Sequence, residues 1–172
     1  VCSSDLERNK FVVHYFETGA EAVAYLKHRI QNKCVAIGDS RTLLEIGVHD
    51  ALSEVNEDIT DIQHPLPGES FRDTALRTMG RDVFLTSVNA LSQTGEMVNI
   101  DGTGNRVAAS LFGSQEVFFV LGVNKITPDL ASAIYRARNV AAPLNSKKNK
   151  KSSLNPCATL DEKCYDCGSP DR

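Results

Sequence analysis

Short apolar runs alternate with stretches whose apolar positions recur every three to four residues, from residue 11 to about residue 137. Residues 11–16 (Phe-Val-Val-His-Tyr-Phe) are rich in β-formers and predict a strand. Thr18 and Glu21 make a capping-box pattern, and Ala22, Leu26 and Ile30 follow at helical spacing. Residues 34–38 are an apolar run ending in glycine, the pattern of a buried parallel strand. Ser40 can cap a following helix, whose apolar stripe is Leu43, Leu44, Ile46 and Leu52. Residues 58–62 predict a third strand, 65–68 a turn and 69–79 a helix. Residues 82–87 predict a fourth strand. Residues 97–100 and 107–111 flank a glycine-containing stretch at 101–105, which predicts a β-hairpin. A buried strand follows at 117–122, then a helix with Pro128 in its first turn and Leu130, Ile134 and Ala137 on one face.

This alternation implies an α/β fold: a mostly parallel sheet flanked by helices, with one β-hairpin. Composition agrees with a globular domain, because 41% of the 172 residues are hydrophobic and 24% are charged. The net charge of −3 argues against a nucleic-acid-binding surface over the whole domain. No apolar run is long enough for a membrane-spanning helix, and no secretory signal is visible, which together imply a cytoplasmic location.

The ends depart from the pattern. Residues 1–6 lack periodicity and read like a translated sequencing adapter, so they are expected to be a non-native leader before a domain at 7–145. Residues 146–156 hold four lysines, in Ser146-Lys147-Lys148-Asn149-Lys150-Lys151, and read as a basic flexible linker. A cysteine-rich tail over 157–172 follows and reads as truncated.

Four groups of residues can carry chemistry. Gly38-Asp39-Ser40-Arg41-Thr42 joins a buried strand to a helix. There Gly38, Ser40 and Thr42 either form the turn and cap or hold a small anionic ligand at a carboxyl strand end. Thr94-Gly95-Glu96 and Asn105-Arg106 lie in a polar stretch between apolar strands. Glu96 is a candidate catalytic base or nucleophile if burial raises its pKa. Asn124 and Lys125 follow the last apolar strand, where Lys125 can meet an anion and Asn124 can equally begin a turn. Cys157, Cys164 and Cys167 have the spacing C-x6-C-x2-C, which fits zinc or an iron–sulfur cluster lacking one ligand, and also fits free thiols or a disulfide. The histidines, His14, His28, His49 and His64, show neither HxH nor HxxxH spacing, so they suggest no metal cage. Cys34 reads as a packed core thiol.

Three long stretches resemble the LUD-domain family, named for lactate utilisation. They are Gly38-Asp39-Ser40-Arg41-Thr42-Leu43-Leu44-Glu45-Ile46-Gly47, the block from Phe84 to Ala108, and Gly122-Val123-Asn124-Lys125-Ile126 with residues 138–145. Ser92-Gln93-Thr94-Gly95-Glu96 stands where larger members have A-E-T-G-T, so the chain resembles the short single-domain branch with a cysteine-rich tail. The resemblance implies a fold similar to the NagB, ribose-phosphate isomerase and CoA-transferase superfamily. It also implies a part in oxidising lactate to pyruvate beside iron–sulfur and oxidoreductase partners. The alternatives are an enzyme or sensor for a phosphorylated or acyl-CoA ligand, and a non-catalytic module with a zinc-binding tail.

Overall fold

The computed structural model describes residues 3–148, 156–160 and 163–168. In chain order it begins with helix α1 (Ser3–Arg8) and helix α2 (Gly19–Arg29). Strand β1 (Cys34–Ile37), helices α3 (Arg41–Glu45) and α4 (Val48–Ser53), strand β2 (Asp58–Asp61) and helix α5 (Phe71–Arg77) follow. Next come strands β3 (Val83–Thr86), β4 (Ala90–Ser92) and β5 (Met97–Val98), helix α6 (Asn105–Leu111) and strand β6 (Glu116–Phe119). A 3-10 turn (Val123–Lys125), strand β7 (Ile126–Thr127), helix α7 (Leu130–Arg136), a π-helical stretch (Ala137–Ala141), helix α8 (Ala142–Lys148) and helix α9 (Pro156–Thr159) complete the chain.

The chain divides into two compact units. One, residues 14–87 and 104–121, carries a parallel sheet in the order β2-β1-β3-β6. Strand alternation sends Val35, Ile37, Val83 and Leu85 to one face, where they pack with Leu26, Leu43, Val48 and Leu52. Ala36 and Phe84 point to the other face, against Ala109 of α6. Helix starts are fixed locally. Thr18 and Glu21 form the capping box of α2, with the Glu21 amide donating to Thr18 Oγ1 at 3.2 Å. Ser70 and Asp73 form a second box at α5. Gly47, at φ 71°, splits the single helix expected after Ser40 into α3 and α4.

The second unit, residues 1–13, 88–103 and 122–172, holds a three-stranded sheet in the order β5-β4-β7. Strand β4 is antiparallel to β5 and parallel to β7, and α7 packs against β4. The fold is thus α/β, with a mostly parallel central sheet flanked by helices, as the sequence predicts.

Two predicted elements are corrected. The hairpin spans residues 90–98, not 97–111, and turns at Gln93-Thr94-Gly95-Glu96. Residues 107–111 belong instead to α6, where Val-Ala-Ala-Ser-Leu follows helix propensity and buries Ala109. The strand expected at 11–16 is irregular. Its side chains find ring partners instead of a ladder: His14 and Phe16 pack on Tyr25 of α2, with centroids at 4.5 and 5.3 Å.

At the ends, Ser3–Arg8 is helical with Leu6 buried, and the helix through Lys148 enters the expected linker. The rest of that linker, 149–155, lies outside the described residues, as do 1–2, 161–162 and 169–172 of the expected leader and tail.

Candidate functional site

The parallel ladder ends in a cavity of about 80 Å³ at the carboxyl ends of β1 and β2. Beyond Ile37 the ladder continues for one bond on each side: Gly38 N–H donates to Leu85 O at 2.9 Å, and Ile62 N–H donates to Ile37 O at 3.2 Å. A Cβ on Gly38 would stand 3.0 Å from Phe84 Cζ and 3.3 Å from Thr86 Oγ1. Gly38 thus lets β1 pass β3 closely. Carboxyl strand ends are where open α/β sheets bind ligands, because loop residues converge there.

Ser40 and Leu43 line one side of the cavity. Ser40 Oγ accepts the Leu43 amide at 3.3 Å, so its hydroxyl caps α3. On the opposite side, β2 ends at Asp61, whose side chain is 5% exposed. Gln63 N–H donates to Asp61 Oδ1 at 2.8 Å. Asp61 Oδ2 faces two imidazoles, with His49 Nδ1 at 2.9 Å and His64 Nδ1 at 2.8 Å. The two rings stack with centroids 4.0 Å apart. Gln63 Nε2 also donates to Asp39 Oδ1 at 2.9 Å, tying the β1 and β2 loops together.

This His–Asp–His group is absent from the residues singled out by sequence spacing. His49 lies twelve residues before Asp61, on α4, and His64 three residues after it. The packing of α4 against the end of β2 brings them to one place. The nearest sequence signal is Asp61-x-x-His64, which is too short to stand out alone.

The structure places the sequence-predicted residues in both units. Gly38, Ser40 and Thr42 sit at the β1–α3 junction, and Gly38 and Ser40 line the cavity. Asn105 and Arg106 open α6, behind Gly104 at φ 81°. In the second unit, Thr94, Gly95 and Glu96 share the β4–β5 turn. Asn124 and Lys125 lie in the 3-10 turn before β7, where Asn124 O accepts Arg136 Nε at 3.1 Å.

Glu96 is exposed and its pKa is lowered, first by the Ser92 hydroxyl and then by that of Thr94 at 2.5 Å. These hydrogen bonds outweigh the smaller, opposing effect of burial, and the carboxylate braces the turn. Gly95 adopts φ 94°, and a Cβ there would stand 3.3 Å from the backbone carbonyl carbon of Asp5. The turn is consequently closed over by α1.

Cys157 lies on α9, while Cys164 and Cys167 lie in irregular chain, and none of the three is in a disulfide. Among the described residues, the group of three side chains gathered closely enough for one metal ion is His49, Asp61 and His64, not these thiols.

Among known proteins, the family model of the LUD domain matches residues 2–166. No curated protein and no solved structure matches the chain.

Proposed function

Because the chain belongs to the LUD-domain family, a lactate-utilisation-related group, we propose that it is a subunit or accessory protein of a system oxidising lactate to pyruvate. The observation that carries this reading is the extent of the family match, residues 2–166 of 172. In this role the chain works beside iron–sulfur and oxidoreductase partner subunits, and residues 157–168 supply a thiol-bearing segment for contact with them. Redox centres in the partners would carry the electrons.

The test is affinity capture of the full chain from lactate-grown cells under anaerobic conditions. Recovery of an iron–sulfur subunit that is missing from glucose-grown cells supports the role. Recovery of the chain alone in both conditions removes it.

A second reading, a small-molecule enzyme or sensor, draws support from the cavity at Gly38 and Ser40. It predicts thermal stabilisation by a phosphorylated or acyl-CoA ligand, of about 2.7 kcal/mol at 100 times Kd.

A further inference from the structure

The β1–β2 cavity carries the carboxylates of Asp50 and Asp61, and neither lysine nor arginine is among its lining residues. Its field therefore favours a cation. Asp61 is almost fully buried, and a buried carboxylate is normally paired with a charge or bound to a metal. Here its companions are two imidazoles, which are also metal donors when neutral.

We propose that His49, Asp61 and His64 form a binding site for one zinc-class divalent transition-metal ion. One ligand atom from each residue can be chosen so that all three lie within 4.8 Å of one another. Ligand atoms at 2.0–2.1 Å from a tetrahedral ion stand about 3.3 Å apart. The Nδ1–Oδ2 separations of 2.9 and 2.8 Å therefore need to open by only about 0.5 Å. Binding replaces the protons of two hydrogen bonds with the ion.

Two imidazoles and one carboxylate suit zinc and its neighbours in the transition series, whereas magnesium and calcium take oxygen ligands. Three protein ligands leave a fourth position open, as catalytic rather than structural zinc sites do. Because all three ligands line the cavity, that position would take water or the carboxylate of a small acid. The bound ion would thus convert a cavity hostile to anions into one that accepts them. The site does not depend on the lactate-system role proposed above.

The decisive experiment uses the chain with Cys157→Ser, Cys164→Ser and Cys167→Ser, so that tail thiols cannot bind the probe. Zn²⁺ is titrated by calorimetry, and Co²⁺ by visible spectroscopy. The expected result is one ion per chain and cobalt ligand-field bands without thiolate charge transfer. His64→Ala, at a half-exposed position, and the His49→Ala/His64→Ala pair should each weaken binding at least 10-fold while the far-ultraviolet spectrum stays native. In the unsubstituted chain, ¹H–¹⁵N imidazole spectra should show His49 and His64 moving on Zn²⁺ addition, with His14 and His28 unmoved. Absence of Zn²⁺ binding in the serine-substituted chain, or affinity unchanged by the histidine pair, overturns the proposal.

Discussion

Replacing Gly95 with alanine tests the β4–β5 turn and its cover by α1 together. Two costs combine at this position. The φ of 94° lies where a Cβ is disfavoured, at about 1 kcal/mol or somewhat more. The added Cβ would also stand 3.2 Å from Asn9 Nδ2 and 3.3 Å from the Asp5 carbonyl carbon. The Asn9 side chain can move aside, but the backbone of α1 must shift. The sum is about 2 kcal/mol, or roughly 4–8 °C in Tm for a chain of this size. Gly47→Ala supplies the control. Its φ of 71° carries the same backbone penalty, with nothing within 4 Å of the new Cβ. It should lose about 1 kcal/mol, roughly 2–4 °C. Thermal unfolding of both variants gives the comparison. Amide exchange adds a local readout, because Ser92 N–H donates to Glu96 O and Gly95 N–H to Ser92 O across the turn. Gly95→Ala should strip protection from the Ser92 amide. If Gly95→Ala is as mild as Gly47→Ala and leaves that protection intact, then α1 does not close over this turn and the reasoning fails.

Three further outcomes follow from single contacts. Ser40→Ala removes the α3 cap and should cost about 1 kcal/mol in urea unfolding, so unchanged stability would return Ser40 to the role of a ligand contact alone. Leu52→Ala, at a fully buried core position, should cost about 2–5 kcal/mol, and a loss below 1 kcal/mol would mean α4 does not pack on the sheet as described. Arg77 grips Glu69 at 2.5 and 2.9 Å and lowers the carboxyl pKa from 4.5 to about 2. A depressed carboxyl pKa contributes stability that is present above pH 4.5 and lost as pH falls toward 2, so acid unfolding should be shallower over that window in Glu69→Gln.

Local signals were legible wherever the determinant lies within a few residues. The Thr18–Glu21 box, the Ser40 cap and the buried runs at β1 and β3 appear where their side chains predict them, because capping and burial are written in adjacent positions, whereas the run at 117–122 forms β6 over Glu116–Phe119 and is only half-buried. The hairpin was misplaced because two glycine-rich stretches compete for it. Gly95 makes the turn, while Gly104 leads into α6, and both have positive φ. Strands of three and two residues, β4 and β5, are too short to show a period of two. Residues 11–16 have β-forming side chains but pair with no strand among the described residues, and β propensity without a partner forms no ladder. The histidine pair was invisible for a different reason. Its meeting point at Asp61 depends on α4 packing against β2, a tertiary contact that no local spacing records.

Lactate oxidation in cells lacking this chain tests the functional account most directly. Pyruvate formation from lactate should fall to background on deletion of the gene and return when the full chain is supplied. An undiminished rate in the deletion strain would contradict the assignment to a lactate-oxidising system.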